Sequence, residues 1–222
     1  VVARLAAARA GRAGGVVASD VSGAMLAHAR SVPVPESAAP IEYVEASVTE
    51  LPFDEGDFDV VFCQQGLQFF PDRAAAAGEM LRVLRSGGVI GLSVWAAGLR
   101  LEPFDEYIEA LLDAGLEAPF RGAFDPETFK LGADEVGALL RRTGFGSVEV
   151  TILDHGVTWP DAGSAAAGIL GTPFAPLLDQ LSSERRRALE AELVRRFAPS
   201  SPGANVRRVN SAVVVQATVP ST

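Results

Sequence analysis

"GGVVASDVSGAML", residues 14–26, decides how this chain is read. Small and β-branched apolar residues, Val16 to Ala18, run from a glycine pair to a single acid, Asp20. Ser22 then stands where a helix N-cap is favoured, and Met25, Leu26 and Ala29 share one helical face behind it. The stretch predicts a buried strand at about 15–19 that delivers one carboxylate to the start of a helix.

The same alternation continues outward. "VVARLAAARA" (1–10) reads as a helix closed by Gly11 and Gly14-Gly15. "SVPVPESAAP" breaks the helix after Asp20 and leads into a second strand, "IEYVEA" (41–46). "LPFDEGD" is a loop, and "FDVVFC" (58–63) is a strand whose nearly continuous apolar run predicts burial on both sides. Asp72 caps a helix expected to reach Arg85, with Ala77, Met80, Leu81 and Leu84 inward and Gly87-Gly88 as its stop. "VIGLSVW" (89–95) is the next strand. Strands alternating with helices define an α/β chain with a doubly wound, mostly parallel, Rossmann-like sheet.

Beyond Trp95 strict alternation stops. Helices are expected in "PFDEYIEALLDAG" (inward Phe104, Ile108, Leu111 and Leu112), "ADEVGALLRRTGF" and "SERRRALEAELVRRF", and strands in "SVEVTILDHGVTW" and "SAVVVQATV". No repeat or low-complexity linker divides residues 1–222, so a single domain is expected, with 97–131 and 160–208 as insertions able to form a lid.

Composition narrows the partners. The 222 residues carry 19 basic and 28 acidic side chains, a net charge of -9, which argues against nucleic acid. One cysteine, Cys63, permits no internal disulfide and fits a reducing cytoplasm. No apolar run has transmembrane length, so no membrane partner is expected. Two histidines and one cysteine leave little for a metal site.

In an open parallel sheet, ligands bind beyond the carboxyl ends of the strands. Asp20, the "ASVTELPF" turn and the "CQQGLQF" turn fall there. A carboxylate placed like Asp20 can accept both hydrogen bonds of a ribose diol. The plainer reading is an acid that interacts with the helix dipole.

Three stretches carry a family resemblance: "VVASDVSGAMLAHAR" (16–30), "EYVEASVTELPFDEGDFDVVFCQQGLQFFPD" (42–72) and "EMLRVLRSGGVIGLSVW" (79–95). No one of them is diagnostic, but their order and spacing are specific. The chain resembles class I S-adenosylmethionine-dependent methyltransferases of the UbiE/MenG-like group, from Val1 to about Trp95 and weakly beyond.

The resemblance implies S-adenosylmethionine as cofactor and S-adenosylhomocysteine as product. It implies that Asp20 holds the ribose hydroxyls, that Val21 and Met25 pack on the adenine, and that Ser47 and Val48 meet the adenine edge. Most relatives carry aspartate at the position of Ser47; a neutral hydroxyl accepts more weakly. Gln64 would lie beside the methionine part. Methyl transfer to carbon or oxygen of a small, hydrophobic or aromatic acceptor is expected. His155 is the base candidate, although a partly exposed strand histidine is the plainer reading. Gln65 and Gln68 would face the methyl group, and Phe69 replaces a histidine common in relatives. Phe104, Tyr107, Phe120, Phe124, Phe129, Trp159 and Phe174 would either line the lid or pack it.

The family's first strand and GxGxG loop would stand just before Val1, the strand between those at 15–19 and 58–63. The expectation is therefore an encoded protein longer at its N-terminus. Two alternatives remain open. A non-catalytic methyltransferase-like module is kept alive by Ser47 and the missing loop. A nicotinamide-dependent oxidoreductase is disfavoured because the one lysine, Lys130, forms no catalytic motif with Tyr43 or Tyr107. Homodimer formation is left open.

Overall fold

The computed structural model describes residues 1–99, 102, 104–113, 130–170, 178, 181–199 and 203–221. Phe120, Phe124, Phe129 and Phe174, assigned above to a lid, lie outside the described residues. The chain forms two compact units: Val1–Val94 with Asp134–Val150 and Val214–Thr222, and Trp95–Ala133 with Thr151–Val213.

In the first unit α1 (Val2–Ala10) leads to β1 (Val16–Asp20), α2 (Gly23–Ser31) and β2 (Ile41–Glu45). β1 and β2 pair in parallel, Val16 opposite Ile41 and Asp20 opposite Glu45. α2 starts where Ser22 Oγ accepts the Met25 N–H at 3.3 Å, as its N-cap position requires. Leu26 is the residue this helix buries.

β3 (Phe58–Gln64), α3 (Arg73–Arg82) and β4 (Leu84–Trp95) follow. Asp72 caps α3 by accepting the Ala75 N–H at 2.8 Å. The helix stops at Arg82, three residues before the expected Arg85, and Leu84 is buried in a strand rather than on a helix face. The cause is strand pairing. The Phe58 N–H donates to the Val83 carbonyl at 2.9 Å, and Leu84 sits opposite Phe58, which draws the chain into the sheet early. Gly87-Gly88 therefore lies within β4 and does not end the helix. A Cβ on Gly88 would stand 2.8 Å from the Arg85 carbonyl oxygen and 3.2 Å from that of Asp59, so this ladder needs a bare backbone there.

β5 (Val148–Trp159) and β6 (Val206–Thr218) complete a sheet of order β3-β4-β6-β5. β3 and β4 are parallel. β6 is antiparallel to β4, because Val219 bonds to Gly88 while Ala96 bonds to Ser211. It is antiparallel to β5 too: Thr218 bonds to Ser147 while Ser211 bonds to Asp154. The fold is thus α/β, a mixed sheet of mostly parallel strands in which β6 runs against its two neighbours.

β1-β2 forms a separate sheet, so among the described residues β1 and β3 each have a strand neighbour on one side only. In this chain both are less buried than their apolar runs alone predict. β1 is half-buried to exposed, and on β3 Val60 and Phe62 are 44% and 57% exposed. A strand with one unpaired edge leaves part of its apolar run in water.

The second unit is built on a helical core. Tyr107 and Leu111 of α4 (Phe104–Asp113) pack with Ala166 of α6 (Ala162–Leu170) and with Leu193 and Phe197 of α7 (Ser183–Phe197). α5 (Ala133–Thr143), which from Asp134 onward belongs to the first unit, is followed by Gly144 in the left-handed region at φ 115°. The buried face of α4 runs through Tyr107, Ala110 and Leu111, whereas the expected Leu112 is exposed. Phe104 and Trp159 pack against this cluster, so with Tyr107 they serve as core.

Candidate functional site

The sequence places its candidates at the carboxyl ends of β1, β2 and β3. Asp20 ends β1, and its Oδ1 accepts the Ser22 N–H at 2.9 Å, which fixes the carboxylate at the entrance to α2. Its backbone carbonyl accepts the Ala46 N–H at 3.1 Å, which extends the β1-β2 ladder up to Ser47. Val21 and Met25 flank the acid and are 69% and 59% exposed. A carboxylate beside two exposed apolar side chains has the chemistry of a nucleoside seat: an acceptor for a diol and an apolar surface for a base. These residues fit the adenosine part of S-adenosylmethionine.

Ser47 is exposed, but its Oγ lies 2.8 Å from Thr49 Oγ1 and accepts the Thr49 N–H at 3.3 Å. The hydroxyl is thus engaged within its own turn. Val48 follows it, half-buried. Sequence reasoning missed Glu45. It pairs in register with Asp20, and its carboxylate covers Gly23, where a Cβ would meet Oε2 at 2.6 Å. The signal was the two-residue period of "IEYVE", which sets Glu45 beside Asp20 at the strand ends.

The end of β3 holds Gln64, which is exposed, and then Gln65, which turns into the left-handed region at φ 54°. Gln65 is the one non-glycine residue with positive φ among the described residues. The Gln65 N–H donates to the Ser93 carbonyl of β4 at 2.8 Å and so holds that conformation. A short 3₁₀ turn, Leu67–Phe69, follows. Gly66 lets it close tightly, since a Cβ there would lie 2.9 Å from Cys63 Sγ and 3.1 Å from the Phe70 ring. Burial raises the Cys63 thiol against the lowering pull of the Leu67 and Gly66 backbone, so it stays protonated and poorly nucleophilic at neutral pH.

Gln68 is buried within this turn, and its Nε2 donates to Gln65 Oε1 at 3.1 Å. Arg73 donates to the Gln68 carbonyl at 3.4 Å and pairs with Glu135 at 3.3 Å. Phe69 is exposed beside it. The structure therefore places Asp20 and Val21 at the end of β1, with Met25 in the first turn of the following helix, and Gln64, Gln65 and Gln68 at and after the end of β3.

His155 is exposed on β5 and belongs to the second unit. In that unit burial pushes the Tyr107 phenol up to about 12, so it is no acid or base near neutrality. Among the described residues no cluster of histidine, cysteine and acidic side chains has metal-holding geometry. No helix among them is long and apolar enough to cross a membrane.

Residues 2–92 match the family model described as a methyltransferase domain. Demethylmenaquinone methyltransferase of Clavibacter sepedonicus is 29% identical over 167 residues, covering 71% of this chain and 67% of that protein. An uncharacterized protein of Mycobacterium tuberculosis is 46% identical over 55 residues, 25% of this chain. The chain spans about one fifth of that relative's length. A solved SAM-dependent methyltransferase from Methanosarcina mazei shares the fold at TM-score 0.50 and 16% identity, over 97% of this chain and 85% of that one.

The chain thus shares the fold of solved methyltransferases. Residues 2–92 resemble a methyltransferase domain, and the chain is similar to demethylmenaquinone and UbiE methyltransferases.

Proposed function

We propose that this protein transfers the methyl group of S-adenosylmethionine to carbon or oxygen of a small, hydrophobic or aromatic acceptor. The observation that carries the reading is Asp20 at the end of β1, flanked by exposed Val21 and Met25, within the segment that matches the methyltransferase domain. The relative that acts on demethylmenaquinone supports an apolar aromatic acceptor.

The cofactor supplies an already activated sulfonium methyl. The chain's own task is to bind, align and exclude water for an in-line displacement. Asp20 accepts the ribose hydroxyls, while Val21 and Met25 cover the adenine. Ser47 and Val48 border the adenine edge, and Gln64 lies along the methionine part. Gln68 is the residue that orients the acceptor.

The Ser47–Thr49 bond favours a second reading, a methyltransferase-like binding module without catalysis, because it draws the hydroxyl away from the adenine. Calorimetric titration of the protein with S-adenosylmethionine and S-adenosylhomocysteine decides first. Saturable binding of both is expected, followed by methyl transfer from labelled cofactor to a quinol-type acceptor. Binding without transfer to any acceptor of a phenol and quinol panel favours the module, and binding of neither overturns the cofactor assignment.

A further inference from the structure

β5 ends the sheet β3-β4-β6-β5, so among the described residues its one strand neighbour is β6. Residues 151–156 of this strand are all exposed, Ile152 and Leu153 at 51% each. Edge strands are usually kept short or blunted by charge, proline or lysine. β2, in the small sheet, has five residues and carries Glu42 and Glu45. β5 has twelve, with neither proline nor lysine. Which of its backbone groups are open follows from the ladder. The Ala96 N–H donates to the Ser211 carbonyl at 3.1 Å, so Ser211 turns its backbone toward β4. Ser211 Oγ donates to Asp154 Oδ1 at 2.6 Å, which sets Asp154 opposite Ser211 on one face of the sheet. A residue whose backbone bonds one neighbouring strand turns away from the other, so Asp154 directs its N–H and C=O away from β6. With the strand period of two, Val150, Ile152, Asp154 and Gly156 all present these groups to the open edge.

We propose that this edge is an interface between two copies of the chain, their β5 strands paired antiparallel about a two-fold axis at Ile152. Open groups must meet open groups, so residues of even number oppose residues of even number. The exposed middle of the strand then allows an axis at Thr151, Ile152, Leu153 or Asp154. An axis at Asp154 sets that acid against its own copy, and like charges directly opposite are destabilising. Axes at Thr151 and Leu153 set Glu149 against an apolar residue, Leu153 or Val157. The axis at Ile152 sets Glu149 against His155 of the partner subunit, and does so twice. These two form a non-hydrogen-bonded pair, whose side chains lie closest, so the imidazole can donate to the carboxylate. In this register Ile152 meets its own copy, Thr151 meets Leu153, Val150 meets Asp154, and no like charges oppose one another.

Sedimentation velocity of the chain over rising protein concentration is expected to show a monomer–dimer equilibrium. Ile152→Lys brings two ammonium groups together at the axis and is expected to weaken the dimer roughly tenfold or more, with circular dichroism and melting temperature of the monomer unchanged. Ile152→Cys is expected to cross-link two copies under mild oxidation, because opposed residues of a hydrogen-bonded pair stand about 5.5 Å apart, within disulfide reach. Leu153→Cys faces Thr151 of the partner subunit instead and is expected to cross-link far more slowly. The unaltered protein, with Cys63 alone, sets the background rate. A monomer at every concentration overturns the proposal and leaves the edge to a strand of another protein. A dimer that Ile152→Lys leaves intact, or equal cross-linking through Ile152→Cys and Leu153→Cys, overturns it too.

Discussion

Among the described residues the Asp20 carboxylate accepts one hydrogen bond, from the Ser22 N–H to Oδ1, and the residue is exposed. Its assigned partner, a ribose diol, would be bound by a charge-assisted pair of bonds. Asp20→Ala is expected to weaken S-adenosylhomocysteine binding by about 2–3 kcal/mol in calorimetry. Asp20→Asn keeps an acceptor for the Ser22 N–H but loses the charge, so it should show an intermediate loss. Equal affinities across all three proteins would remove Asp20 from the site. The identity and strand-end position of this residue were legible from a run of apolar residues ended by one acid. The burial of Gln68 was not, because it depends on Leu67 and Gln65 turning together around Gly66.

Single elements differ in how their edges are satisfied. Among the described residues β4 and β6 have strand neighbours on both sides, while β1 and β3 have one each. Unpaired amides of an edge strand exchange from the native state without global unfolding. Hydrogen exchange read by NMR should therefore find fast-exchanging amides along one edge of β1 and β3, and slow exchange throughout the centres of β4 and β6. Uniform protection of β3 would mean that its free edge is covered in solution.

Between α4 and α7, charge replaces apolar contact at the rim. Arg195, and then Arg196, hold the Glu192 carboxyl down at about 2. Arg196 also bonds Glu109 at 3.3 Å and Asp113, which ties the two helices. A depressed folded value means stabilisation that is complete above the unfolded value of 4.5 and is lost as pH falls toward 2. The stability difference between the unaltered protein and Glu192→Gln should therefore shrink as denaturant titrations move from pH 6 to pH 2. A constant difference would show that Glu192 acts through packing.

At the scale of the whole molecule, two cores carry the fold. Met80 is buried in the first unit, and Leu193 in the helical cluster of the second. Met80→Ala and Leu193→Ala are each expected to cost about 2–5 kcal/mol of unfolding free energy. Since the cores are distinct, the double variant should show the sum to within about 0.5 kcal/mol. A large coupling energy in denaturant titration would show one shared core.

The order of strands and helices was legible in the sequence, as were the caps at Ser22 and Asp72 and the place of Asp20. Each follows from local chemistry: a period of two or 3.6 residues, a side chain that reaches a nearby N–H, an acid at a strand end. Only the tertiary structure decided what depends on distant partners. β6 enters between β4 and β5 and runs against both. Phe58 and Val83 end α3 before its glycines. β3 ends the described sheet and leaves Phe62 57% exposed. Apolar residues declare that they can be buried, but strand neighbours far along the chain determine whether they are.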